Sequence, residues 1–189
     1  GGPSPDIRAL VNFDKKQLVT VSSGLVLYDN DLEETADAFS KLYDAGFRNF
    51  EANDLGSLQL LLDLKVKINL SLSAYFGVYN HAACRELSHL GVVSIFAPVE
   101  ADLSLLKSLS NFETNTKINL IVFGKIPLFV SRVHEEFFNS SNTFSDKYTK
   151  LSVHKDWDNI IFCDEKPLNL TGDIIKSEKI YFDGLYADL

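Results

Sequence analysis

The side chains best suited to chemistry gather in one stretch, Phe123-Gly124-Lys125-Ile126-Pro127-Leu128-Phe129-Val130-Ser131-Arg132, with His134 two residues on. The stretch follows an apolar run. Gly124 permits a tight turn there, and Pro127 stiffens the chain after it. Lys125 and Arg132 carry positive charge. The planar fork of Arg132 can grip a carboxylate or phosphate, or it can form a salt bridge to Glu100 or Asp102. Glu100 follows an earlier apolar run, so an acid–base or substrate-orienting pair with Arg132 is one reading and a loop-fixing ion pair is the other. Ser131 and His134 have the types of a nucleophile and its base, which must lie within about 3 Å of each other to act. The sequence offers no third residue to orient them. Asp54, in the turn Asn53-Asp54-Leu55-Gly56, and Asn80 are further polar groups placed just after apolar runs.

Other chemistries find little support. No Gly-rich phosphate loop of either standard type occurs. His81, His89, His134 and His154 are scattered, and no pair has metal-ligand spacing on one helix. The two cysteines, Cys84 and Cys163, cannot by themselves build a four-thiolate metal or iron–sulfur site. Cys84 sits beside an apolar helical stripe and reads as a plain buried thiol. Cys163 precedes Asp164 and Glu165, which raise rather than lower a thiol pKa.

The elements that must position these residues follow a repeating pattern. Leu18 to Val21 reads as a buried strand, continuing loosely to Leu27. Asn30 or Asp31 can then cap a helix over about 31–45, with Leu32, Ala36, Phe39, Leu42 and Tyr43 in one stripe and Gly46 as its left-handed stop. A strand over Phe47 to Ala52 precedes a short helix through Leu60 to Leu64. A strand over Val66 to Leu72 precedes a helix opened by Asn80 and stopped by Gly91. Val92 to Ala97 and a helix from Asp102 come next, then a strand over Ile118 to Phe123. Apolar strands alternating with amphipathic helices predict a parallel sheet covered by helices, with the loops after each strand gathered on one edge. Those loops are Ser22 to Asp31, Asn53 to Gly56, Ser73 to Asn80, Pro98 to Asp102 and Gly124 to His134. The expected organisation is one α/β domain over 1–189. Strand–helix units fill about 18–135, a β-rich insertion with strands at Leu151 to His154 and Ile160 to Cys163 fills 136–178, and a last core strand lies in 179–189.

Composition narrows the function classes. Apolar residues at 46% and charged residues at 23% are ordinary for a folded chain, so disorder is not expected. A net charge of -8 without a dense Lys/Arg run disfavours direct nucleic-acid binding. No apolar run is long enough to span a bilayer and no signal peptide opens the chain, which predicts a cytoplasmic protein without membrane contact. The sequence holds no Met, which suggests a fragment.

The stretch Tyr28-Asp29-Asn30-Asp31-Leu32-Glu33-Glu34, the turn Asn53-Asp54-Leu55-Gly56, Leu90-Gly91-Val92 with Pro98-Val99-Glu100, and the Gly124 to Arg132 segment resemble, in that order, the U32 family of collagenase-like peptidases. The resemblance extends over roughly 18–188, through Ser145-Asp146-Lys147 and Lys166-Pro167-Leu168-Asn169-Leu170. It implies a β/α barrel, here partial or incomplete, since a full barrel takes about 250 residues and the family's first units are missing. It implies a peptidase, or an accessory factor for hydroxylation of RNA or small molecules. The catalytic set would be Glu100, Ser131, Arg132 and His134, with Asp54, Asn80, Gly124 and Lys125 binding substrate. Relatives in hydroxylation commonly carry cysteines after the Gly-x-x-Pro-Leu loop for an iron–sulfur cluster. This chain has Ser131-Arg132-Val133-His134 instead, and Lys125 where Arg is usual, so no cofactor and no metal is expected. The missing cysteines and first units motivate a second reading, a non-catalytic binding or scaffolding subunit that meets a protein partner or a second copy of itself.

Overall fold

The computed structural model describes residues 12–110 and 115–122, and describes 123–124, 127–131, 151–156, 159–164 and 168–169 as paired strand backbone. Five strands form one parallel sheet: β1 (Thr20–Ser22), β2 (Asn49–Ala52), β3 (Asn69–Leu72), β4 (Val92–Phe96) and β5 (Lys117–Asn119). They lie in sequence order, each parallel to the next. Four helices connect them: α1 (Asp29–Asp44), α2 (Leu55–Asp63), α3 (His81–His89) and α4 (Leu103–Ser110). This is the alternation that the apolar periodicity predicts.

The strand order never reverses. Right-handed crossovers in one direction put every helix on the same face of a sheet. The side chains agree, because successive residues of a strand point to opposite faces. Phe50, Ala52, Leu70, Leu72, Val92 and Ile95 are buried, and they share one cluster with the helical residues Phe39, Leu42, Leu58, Leu61, Cys84, Leu87 and Leu109. Phe39 of α1 meets Phe50 of β2 edge to face, with ring centroids 5.7 Å apart. The alternate positions, among them Asn49, Glu51, Asn69, Ser71 and Ser94, are polar and are exposed or half-buried. A doubly wound sheet would need apolar side chains on both faces. This pattern instead fits a partial β/α barrel, in which one face looks inward.

Local chemistry explains the helix limits. α1 begins at Asp29, with Tyr28 as its cap in place of Asn30 or Asp31. Asp31 accepts from the backbone N–H of Tyr28 at 2.7 Å, so it satisfies the helix start from within the first turn. Gly46, at φ +105°, follows α1 in the left-handed region that its sequence position requires. Cys84 is fully buried, and burial pushes its thiol pKa up, which suits an inert core thiol.

Two expectations are corrected. The last parallel strand ends at Asn119 rather than Phe123, because Leu120 and Val122 turn into a second small core with Ala97 and Leu106. Gly124 is then not the turn that closes a parallel strand. It belongs to β6 (Phe123–Gly124), paired antiparallel with β10 (Leu168–Asn169). Nor is the following stretch a loop throughout. Pro127–Ser131 is β7, in an antiparallel sheet of order β7-β9-β8 with β8 (Leu151–Asp156) and β9 (Asn159–Asp164). The run Leu128-Phe129-Val130 has strand-forming side chains and pairs along Ile160 to Phe162, a pull the Gly and Pro signals concealed. The expected strands in 151–163 are present as β8 and β9. The expected last strand in 179–189 lies outside the described residues.

Phe50 lies at the centre of the main core at 0% exposure. Phe50→Ala should lower the unfolding free energy by about 3–5 kcal/mol, read by urea denaturation.

Candidate functional site

Parallel strands deliver their C-terminal ends to one edge, and the loops after β2, β3 and β4 bring Asp54, Asn80 and Glu100 there. Two of the three are engaged with backbone. Asp54 is the N-cap of α2. Its Oδ1 accepts from the N–H of Ser57 at 2.7 Å and from the Ser57 hydroxyl at 2.8 Å. Its Oδ2 accepts from the N–H of Leu27 at 3.3 Å, which ties the β1–α1 loop to the next one. Asn80 caps α3, accepting from the N–H of Ala83 at 2.9 Å. Asp102, the other carboxylate considered for Arg132, caps α4 by accepting from the N–H of Leu105 at 2.7 Å.

Glu100 differs. It is exposed, and its Oε1 accepts a short hydrogen bond from the hydroxyl of Tyr79 on the neighbouring loop. That contact, with the adjacent negative charge, holds the Tyr79 phenol pKa above its ordinary value. The loop that presents Tyr79 is a tight one. Ser73 accepts from the N–H of Tyr75 at 3.2 Å, and Gly77 turns in the left-handed region at φ +78°. A Cβ at Gly77 would stand 3.1 Å from the Tyr79 ring, so the glycine also makes room for it. Tyr79 was not among the residues singled out by sequence, because a tyrosine in a turn carries no motif.

Of the remaining expected residues, Gly124 lies in β6 and Ser131 at the end of β7, where its backbone pairs with Ile160. Lys125, Arg132 and His134 lie outside the described residues. Among the described residues no three His, Cys, Asp or Glu side chains gather closely enough to hold a metal ion. None of the described helices is long and apolar enough to cross a membrane.

A second polar group lies on the face of the sheet that no described helix covers. Asn53 is buried at 3% exposure, and its Nδ2 donates to the Ser22 hydroxyl at 3.0 Å and to the Ser23 carbonyl at 2.8 Å. The Ser22 hydroxyl in turn donates to Oε1 of Glu51 at 3.1 Å. Burial raises the Glu51 carboxyl pKa, partly opposed by that Ser22 hydrogen bond. The strand Asn49-Phe50-Glu51-Ala52 places a carboxylate in the middle of a parallel sheet, a position that ordinarily takes an apolar residue. That mid-strand acid, alternating with Phe50 and Ala52, was the available signal.

Comparison with known families decides the relationship. The sequence model of peptidase family U32 matches residues 5–135. The chain belongs to peptidase family U32. The matched span includes all five parallel strands, all four helices, and Asp54, Asn80 and Glu100. No curated protein and no solved structure matches the chain. The matched span also takes in β6 and β7.

The raised pKa of Glu51 has a definite sign for stability. The folded chain holds this proton more tightly than the unfolded chain. The resulting stabilisation is present at low pH and is lost as pH rises from the ordinary value of 4.5 through the raised one. Glu51→Gln should therefore have a higher Tm than the parent at pH 7, and the gap should close below about pH 4, measured by thermal denaturation across pH.

Proposed function

We propose that this U32 chain is a peptidase that acts at the strand C-terminal rim, with Glu100 as its general base. The hydrogen bond from Tyr79 to Glu100 carries the reading. It joins two successive rim loops, and among the described residues no group donates to the second carboxylate oxygen of Glu100. Asp54, Asn80 and Asp102 have their oxygens on helix N-termini and act by fixing the loops.

In this mechanism Glu100 takes a proton from a water whose oxygen bonds to the peptide carbonyl carbon. The carbonyl oxygen gains negative charge, and the proton passes from Glu100 to the leaving amine as the C–N bond breaks. Tyr79 fixes the carboxylate orientation. Lys125 and Arg132, from the segment around β6 and β7, would supply cationic donors to the developing oxyanion. Ser131 and His134 would complete the polar surroundings. No step here uses a cofactor.

The competing reading, a binding or scaffolding subunit, predicts peptide binding without turnover. Gelatin and a mixed peptide pool, followed by mass spectrometry, distinguish the two. Glu100→Gln should lower kcat/KM by about a hundredfold with Tm unchanged within about 2 °C. Tyr79→Phe should lower kcat by a smaller factor and leave KM unchanged. Cleavage undiminished in Glu100→Gln would reject the role of Glu100. Absence of any cleavage by the parent chain would favour the binding subunit.

A further inference from the structure

The strand register builds a row of polar side chains across the face that no described helix covers. Ser22 stands opposite Glu51, Glu51 opposite Ser71, Ser71 opposite Ser94, and Ser94 opposite Lys117. The row depends on an irregularity between β3 and β4. Leu70 pairs with Val92, but the next residue, Ser71, pairs with Ser94. Val93 is left over and exposed, while Val92 and Ile95 both stay buried. Without that extra residue a valine would occupy the place of Ser94.

Within this row Glu51 is half-buried, and burial raises its carboxyl pKa. Among the described residues its hydrogen-bond donor is the Ser22 hydroxyl, at Oε1. Among the described residues no Lys, Arg or His pairs with it. Lys117 shares the row but stands three strands away, about 14 Å at the ordinary strand spacing. Beside Glu51, Ser71 donates its hydroxyl to the carbonyl of Phe50 at 3.0 Å, so its oxygen presents lone pairs to the row. Ser22 is occupied as a donor by Glu51 and accepts from Asn53. The group is therefore rich in acceptors and poor in free donors. A half-buried carboxylate held in this way is destabilising by itself, and a matched cation offsets that penalty.

We propose that Glu51, flanked by Ser22 and Ser71, binds the guanidinium or ammonium group of a basic side chain on a peptide ligand. The site stands on strand register and does not depend on hydrolysis. A site of this kind would give a peptide-processing domain a preference for basic residues.

The test uses arginine amide as the probe and citrulline amide, its uncharged isostere, as the control, titrated into the ¹⁵N-labelled full chain at pH 7. Arginine amide should perturb the amides of Ser22, Glu51, Ser71 and Ser94, and citrulline amide should not. Glu51→Gln should weaken binding by about tenfold or more, since the interaction is a charge-assisted one. The same variant should have the higher Tm without probe and should lose the probe-induced rise in Tm, a combination that a purely structural glutamate does not produce. Glu86→Gln, on the exposed face of α3, should bind like the parent and so controls for general attraction to an acidic chain. Shifts scattered over the acidic surface, equal affinity in Glu51→Gln, or no perturbation at about 10 mM probe would each overturn the proposal. Occlusion of the face by the rest of the chain gives the last of these results. Loss of peptide cleavage in Glu100→Gln with arginine amide binding intact would show the two sites to be separate.

Discussion

The structure depends on a sheet wound in one direction. Because β1 to β5 follow one another without reversal, the crossovers place α1 to α4 on a single face. The opposite face must then curl, be covered, or present polar side chains. The strands show the consequence residue by residue. Phe50 and Leu70 point into the helical core, while Glu51 and Ser71 point away from it. The winding also fixes which loops are neighbours, since the chain ends of adjacent parallel strands share an edge.

That constraint separates two kinds of polar residue at the rim. Asp54 and Asn80 are used by the fold itself. They close the exposed N–H groups at the starts of α2 and α3, and Asp54 also holds Leu27 of the preceding loop. Glu100 has no such duty, and Tyr79 is its partner across the loops. The family match over residues 5–135 spans all of these, while the antiparallel strands β8 to β10 lie beyond it. The chemistry of the rim and that of the sheet face are physically distinct. One carboxylate is exposed and oriented by a phenol, the other is half-buried and oriented by a serine.

Much of the fold was legible because apolar spacing and helix punctuation agree. Phe39 and Leu42 in one stripe, Gly46 after α1, and Asn80 before α3 each combine a local preference with a tertiary role. The segment from Gly124 onward misled because its glycine and proline signal a turn, whereas pairing with β9 and β10 makes strands of Phe123–Gly124 and Pro127–Ser131. Long-range backbone pairing leaves a weak local signature. The same holds for the end of β5, where Leu120 and Val122 satisfy an apolar pattern by packing outside the sheet.

The sequence by itself determined the alternation of strands and helices, the apolar face of each element, the capping residues and the resemblance that family comparison bears out. These are properties of near neighbours in the chain. Tertiary structure alone decided that Asp54 also holds Leu27 of the preceding loop, that Tyr79 reaches Glu100, and that an extra residue at Val93 puts Ser94 in line with Glu51. Each of these is a contact across strands or loops, set by register and winding, and none is written in the spacing of any single segment.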